Sequence, residues 1–308
     1  MQLIDLASRG LFECLAAEEL FLDGGGPDVP ALMIWRGPGA VVMGKNQNPW
    51  KECNLEVIRQ KELLLARRVS GGGTVYHDPG NVNFSWVVDR KTYRPDRLHG
   101  ILRDALRRLG VQAETAPTGG MLVDGYKISG AAYCYRQERV LHHGTLLWDA
   151  DLPTMRAALS APRIRLKTHA VSSLPARVRN LSESLPGHAL EDVIEVFVER
   201  AEEDFGPRVP GQPGGEALRD RARRLQSVDW IWGQTPRFEV RVDVKNTPLL
   251  LEIRHGRVEK IRWREDALEW TERPWFNAGF VPVLSEKTGV QAEVLLRALT
   301  AAGWVWPA

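Results

Sequence analysis

Cysteine is scarce in this chain, which carries only Cys14, Cys53 and Cys134 among 308 residues. Such an odd, scattered set builds neither a disulfide framework nor a metal-binding spacing, and it points to a reducing compartment. No HExxH and no paired-cysteine pattern occurs, so no protein-only metal site is expected. Long apolar runs are missing too, and the opening MQLIDLASRG has the form of neither a signal nor a transit peptide. A cytoplasmic protein without a membrane partner is the expectation. Charge of one sign is also lacking: the formal net charge is +2, and no strongly basic domain marks a nucleic-acid binder. Repeats and low-complexity segments are absent. What remains is 44% hydrophobic and 26% charged, ordinary for a globular protein, with length enough for two domains.

Against that plain background stands the stretch RRVSGGGTVYHDPGNVNFS, from Arg67 to Ser85. Gly71, Gly72 and Gly73 separate an extended run over 63–69 from another over 82–88. Glycine has no Cβ, so backbone amides can approach a ligand closely there. Arg67 and Arg68 precede the turn, while His77, Asp78 and Asn81 follow it. Amides, guanidinium groups and an amide side chain together favour an anion such as phosphate, although a solvated hairpin turn has the same composition. No Gly-Lys-Ser/Thr closes the segment, and a strand rather than a helix is expected after it, so it is neither a P-loop nor a Rossmann turn. Beyond it, Asn81, Asn83 and Ser85 alternate with Val82, Phe84 and Trp86, the period of a strand with one polar face that would line a pocket.

Upstream, Leu11, Leu15, Ala16 and Leu22 share one face of a predicted helix, and Glu18 and Glu19 within it are expected as a solvated pair, a pocket-facing carboxylate being the other reading. Strands are expected over 31–35 and 40–43, and Trp35 closes the first, where an indole either walls an apolar slot or packs in the core. Gln47 to Trp50 form a turn before a short helix over 54–60. A second amphipathic helix spans 98–109. Asp124-Gly125 reads as a tight hairpin turn, with Lys127 entering the return strand beside Ser129, Gly130 and Ala131. Small neighbours leave room for a ligand over that ammonium, though an ordinary strand lysine fits as well. His142 and His143 should point to opposite faces of one strand. Arg163, Arg165, Lys167, Arg177 and Arg179 make a basic region expected to be a loop, either solvated, closing over an anion or docking an acidic protein. Another amphipathic helix is expected over 190–201. PRVPGQPGG then separates an expected domain of 1–210 from one of 216–308, the latter holding a charged helix, a meander over 238–263 and a final helix over 290–301.

Taken in order, ARRVSGGGTVYHDPGN, DGYKISGAA, HHGTLL and WIWGQTPRF, with QNPWKECN upstream, resemble lipoate–protein ligases of the single-chain bacterial type. The resemblance implies an α+β fold of the biotin/lipoate-ligase kind, related to class II aminoacyl-tRNA synthetases. It also implies a catalytic domain of mixed, largely antiparallel sheets with flanking helices, plus a small α+β C-terminal domain. The implied chemistry is ATP-dependent: lipoate forms lipoyl-adenylate, and the lipoyl group passes to an acceptor lysine. Arg68 would meet ATP phosphates, Gly73, Thr74, Val75 and Tyr76 would hold the adenylate, and Asp124 joins that set. Lys127 would bridge the lipoyl carbonyl and the α-phosphate. Trp35, Ser70, Gly71, Gly72, His77, Gly130, Ala131, His143, Gly144 and Thr145 would surround lipoate. Mg²⁺ is expected with ATP. Lipoyl domains of 2-oxoacid dehydrogenase complexes, or the glycine cleavage H protein, are the implied acceptors.

One stretch departs from the family pattern. SLPARVRNL, Ser173 to Leu181, has Pro175 where the family has arginine and Arg179 where it has threonine, so loop closure and acceptor preference are its least transferable features. An octanoyltransferase of the same superfamily would use a cysteine and a thioester donor, and the segment 116–125 before Lys127 has no cysteine. A biotin ligase would carry GRGRxGR, which is absent. A non-catalytic lipoyl-binding relative would need neither Arg68 nor Lys127.

Overall fold

The alternating segment beyond the glycine turn becomes the middle of the largest sheet. In the computed structural model, which describes residues 1–26, 29–161, 164–264, 266–269 and 274–304, the strand Asn81–Asp89 is buried along its length except at Asp89. It pairs antiparallel with Arg139–Leu147 on one side and with Ala31–Arg36 on the other. Ser129–Arg136 forms one edge, while Gln2–Asp5 and Val209–Pro210 extend the other edge in parallel, making six strands. Helices cover both faces, as the apolar content of each face requires. Leu98, Ile101 and Leu102 of helix Pro95–Arg108 and Val193, Phe197 and Val198 of helix Leu190–Phe205 pack on Phe84 and Trp86. Leu11, Leu15 and Ala16 of helix Leu11–Leu22 pack on Met33, Trp35, Val87 and Leu141.

Burial on that second face corrects one expectation. Glu18 and Glu19 are both buried rather than solvated. Ten of the twelve helical residues are buried because two partners flank the helix, the sheet on one side and helix Glu216–Gln226 on the other. Leu218 and Leu225 of the later helix join this core. Arg224 pairs with Glu19, and Arg136 reaches Glu19 at 3.1 Å and Asp23 at 2.7 Å.

A three-stranded sheet sits beside the large one. Ala40–Met43 runs parallel to Leu64–Arg67 and antiparallel to Val75–His77, so the glycine turn links its two outer strands. A hairpin, Met121–Val123 and Tyr126–Lys127, turns at Asp124 and Gly125, both at positive φ.

The C-terminal meander is an antiparallel sheet of Phe238–Val244, Thr247–Arg254, Arg257–Trp263 and Asp266–Glu269. Its first strand alternates buried and exposed residues from end to end, and Phe280–Thr288 and Ala292–Ala301 close over the apolar face. A fifth strand, Leu166–Thr168, joins this sheet from the basic region expected to be a loop. Leu166 and Thr168 are half-buried between exposed neighbours, and three residues are too short a run for the alternation to stand out. Arg163 lies outside the described residues. Two elements thus cross the expected division: this strand pairs forward into the C-terminal sheet, and helix Glu216–Gln226 packs back onto the first helix. Trp50 closes the seam, with ring centroids 5.1 Å from Trp232, 5.2 Å from Phe238 and 5.4 Å from Phe276. The whole is α+β, with mixed and largely antiparallel sheets.

Candidate active site

Two adjoining cavities open where the glycine turn, the Lys127 hairpin and the loop after Ala170 meet. The smaller, about 300 Å³, lies between Leu15, Trp35, Val42, His77 and His143. The larger, about 900 Å³, runs past Tyr76, Leu147, Met155 and Leu159 to Arg156 and Arg177. Both fall in the range of small-molecule sites, roughly 300–1,000 Å³. Thr74, Val75, Lys127, Gly130 and Thr145 line both cavities and so mark their junction.

Lys127 is the cation at that junction. Its ammonium has no hydrogen-bond or ion-pair partner among the described residues, and burial pushes its pKa below the ordinary lysine range. A Cβ built on Gly130 would sit 3.7 Å from Nζ and 3.6 Å from Thr145 Oγ1, so glycine leaves the space over the amine open. A half-buried cation with no protein anion is suited to a ligand's oxygens.

Beneath the turn runs a buried chain of hydrogen bonds. Ser85 donates to Glu18 Oε1 at 2.5 Å, and Glu18 Oε2 lies 3.0 Å from His143 Nδ1. His143 Nε2 lies 2.7 Å from Ser70 Oγ, which accepts from Arg68 Nε at 2.9 Å. These partners set Nδ1–H toward the carboxylate and Nε2 as acceptor of the Ser70 hydroxyl. Arg68 also donates to the carbonyls of Val42, Gly71 and Gly73. Four of its five N–H groups are therefore spent shaping the turn, and one remains. Burial lowers its pKa to about 10. Gly72 sits at φ 86°, a conformation that side chains rarely adopt, with Arg68 packed beneath it.

Arg67, expected near the ligand with Arg68, points the other way. Wholly buried, it donates to the carbonyls of Gly44, Lys45, Gln47 and Ile231 and to Thr235 Oγ1, while Trp230 Nε1 donates to the Arg67 carbonyl. It bolts the glycine strand to the WIWGQT segment. Successive strand residues face opposite sides, so adjacent arginines part company. The two histidines separate for the same reason: His143 joins Glu18 and Ser70, whereas His142 packs among Tyr93, His99 and Tyr133.

Trp35 is both core and wall, 2% exposed yet lining the smaller cavity, with His77 edge-on at 5.4 Å. Burial pushes His77 down to about 3, which leaves it neutral, and its Nδ1 has no partner among the described residues. Gly72, Gly73, Ala131 and Gly144 line the smaller cavity, and Tyr76 lines the larger. Ser70 and Gly71 support the turn from behind, and Arg68 lines only the smaller cavity. Asp124 lies outside both, exposed, with Oδ2 3.1 Å from Arg179. Cys134 also lines neither; its thiol donates to the Val69 carbonyl.

Residues that sequence reading left without a role hold the loop after Ala170 in place. Ser173 Oγ accepts from Thr74 N at 2.9 Å and from Gln47 Nε2 at 3.0 Å. Gln47 Oε1 in turn accepts from Thr74 Oγ1 and Gly44 N, and Ser173 N donates to Glu52 Oε2. The nearest sequence signal was QNPWKECN itself, since a glutamine and a carboxylate three and eight residues beyond Gly44 invite no reading until their partner, over a hundred residues on, is known.

Comparison with known proteins supplies the family. A sequence model of the Lipoyl protein ligase A/B catalytic domain matches residues 11–202. The chain belongs to the lipoyl protein ligase A/B family. Lipoate-protein ligase A of Psychrobacter cryohalolentis is 34% identical over 270 residues, spanning 82% of this chain and 80% of that protein. Among solved structures, P. falciparum LipL1 in complex with lipoate matches with TM-score 0.68 at 23% identity, over 85% of this chain and 84% of its own. A lipoate-protein ligase A bound with ATP matches with TM-score 0.62 at 23% identity, over 74% and 97%. These two structures bear on the fold, which is that of a lipoate ligase. As a member of this family the chain is an enzyme, a ligase of the lipoylation type. No helix among the described residues is long and apolar enough to cross a membrane.

Proposed function

We propose that this ligase activates lipoate with ATP and passes the lipoyl group to a lysine of an acceptor lipoyl domain. The observation that carries the reading is the unpartnered Lys127 ammonium at the junction of the two cavities. Lipoate fits the smaller cavity, its dithiolane toward Trp35 and its carboxylate toward Lys127. ATP fits the larger, its α-phosphate reaching Lys127 from the other side. The carboxylate oxygen attacks the α-phosphorus, the phosphorus–oxygen bond to pyrophosphate breaks, and lipoyl-adenylate forms. Lys127 offsets the charge that builds on the phosphoryl oxygens. In the second step the acceptor amine attacks the carbonyl, loses a proton, and AMP leaves with the bonding pair.

The amides of the glycine turn and Thr74 to Tyr76 hold the adenylate in this reading, while Arg68 acts chiefly by shaping the turn. Among the described residues the larger cavity is lined by one carboxylate, Glu52, already engaged by Ser173 N, so Mg²⁺ would be held mainly by ATP's own phosphates. The acceptors we propose are lipoyl domains of 2-oxoacid dehydrogenase complexes or the glycine cleavage H protein, and a cytoplasmic setting suits both.

The test is purified protein with lipoate, Mg-ATP and an apo lipoyl domain, read by intact mass. A gain of one lipoyl group that needs ATP supports the reading. Transfer from an octanoyl thioester without ATP would replace it with the transferase.

A further inference from the structure

The covering loop does more than lie over the junction; it is stitched to the strand that carries Lys127. Lys127 N donates to the Arg177 carbonyl at 2.8 Å, and Arg179 N donates to the Lys127 carbonyl at 3.2 Å. Both backbone groups of Lys127 are thus spoken for by the loop, through a parallel bridge to Val178. Beside this bridge two guanidinium groups lie over the Tyr126 ring, Arg177 at 4.8 Å and Arg179 at 5.6 Å from its centre. Arg177 Nη2 also donates to the Tyr126 hydroxyl at 2.9 Å. Arg179 is anchored in its turn to Asp124 at 3.1 Å and Ser184 Oγ at 2.6 Å. Two cations beside one aromatic face would repel each other in the open; the ring's negative faces and the Asp124 carboxylate make the arrangement favourable.

We infer that Tyr126 is a positioning residue: clasped by Arg177 and Arg179, it ties the covering loop to the hairpin, so that docking of the loop and placement of the Lys127 ammonium are one event. The inference deepens the adenylation reading and rests on it. Two backbone hydrogen bonds alone make a weak tie at a site open to water, since each exchanges with solvent at small net cost. The two guanidinium contacts and the hydroxyl bond make the tie specific. Val178 and Arg177 line the larger cavity beside Tyr126 and Lys127, so a loosened loop would also admit water where the anhydride forms.

The experiment compares wild type with Tyr126→Ala, Tyr126→Phe and a double variant, Arg177→Gln with Arg179→Gln, which keeps the ring and removes both cations. Two readouts are taken on the full chain: lipoate-dependent pyrophosphate exchange, and amide hydrogen exchange of segments 121–130 and 172–181. Displacing a charge from a reacting centre by about an ångström can cost roughly a hundredfold, so Tyr126→Ala should lower kcat by about ten- to a hundredfold with KM for lipoate changed less than about twofold. Both segments should exchange faster together while the rest of the chain does not. The double variant should do the same, and Tyr126→Phe should fall between it and wild type, because only the hydroxyl contact is lost. A Tyr126→Ala enzyme with kcat within about twofold of wild type, or with exchange unchanged in segment 121–130, overturns the inference. So does equal loss in Tyr126→Ala and Tyr126→Phe. If Tyr126→Ala does not fold, the double variant decides by the same two criteria. Wild type without any lipoate-dependent exchange would remove the reaction itself, and the positioning role with it, whatever the hydrogen-exchange result.

Discussion

The strand Asn81–Asp89 and the strand Phe238–Val244 have the same alternating sequence pattern and opposite fates. In the second, alternate residues are buried and the rest face water, so the polar side chains of Glu239, Arg241 and Asp243 stay hydrated. In the first, the polar positions are buried as well: Asn81, Asn83 and Ser85 are each at most 3% exposed. Burial of polar groups costs free energy unless each finds a partner. The C-terminal sheet avoids that cost and is a packing unit. The N-terminal sheet meets it at Ser85 with the Ser85–Glu18–His143–Ser70–Arg68 chain, while Asn81 donates to Asn83 and keeps an Oδ1 with no partner among the described residues; the result is a shaped cavity with a cation at its mouth. The difference separates a face that holds the protein together from a face that binds something.

The comparison breaks most sharply at Lys127. Lys127→Ala should leave thermal unfolding close to wild type and lower the adenylation rate by roughly 10²–10³, the effect typical of removing one group that stabilises developing charge. Pyrophosphate exchange measures it, and a near wild-type rate would remove Lys127 from the chemistry.

Next comes a matched pair, one change in each region. Leu251 is fully buried in the C-terminal sheet, and Leu251→Ala should cost about 2–5 kcal/mol of stability with KM for lipoate unchanged. Glu18→Leu leaves His143 and Ser85 without their acceptor and should cost a comparable ~3 kcal/mol. It should also raise KM for lipoate, because the turn rests on the same chain. Chemical denaturation and steady-state kinetics on both proteins check the pair; equal kinetic effects would erase the distinction.

The smallest effect, taken per pH unit, is in pH. His77 is held neutral, its pKa pushed from 6.5 to about 3 by burial, with Arg68 and His143 adding to the shift. A depressed folded-state pKa means the unfolded chain binds the proton first, so the stability it contributes is present above about 6.5 and is lost as pH falls toward 3. Wild type should therefore melt progressively earlier below pH 6.5, and His77→Phe should show a shallower slope, by up to about 1.4 kcal/mol per pH unit. Parallel melting curves for the two proteins would show that His77 titrates normally.

Much of this protein was legible without coordinates. Gly71 to Gly73, the Asp124-Gly125 turn and the C-terminal meander are local facts: a positive φ or an alternating face depends on neighbours in the chain. The small neighbours of Lys127 were legible too, but they fitted an ordinary strand lysine as well, and its place in the site was implied by the family resemblance rather than by local pattern. Tertiary structure alone decided that Glu18 is buried, that Arg67 and Arg68 face different partners, and that Ser173 docks on Thr74 and Gln47. It also decided that three residues of the basic stretch, Leu166 to Thr168, belong to the distant C-terminal sheet. Periodicity reports which side of an element is apolar, and a partner's identity is not encoded in that period. Whether a glutamate on a helix meets water or a histidine 125 residues away depends on which segment the fold lays against it.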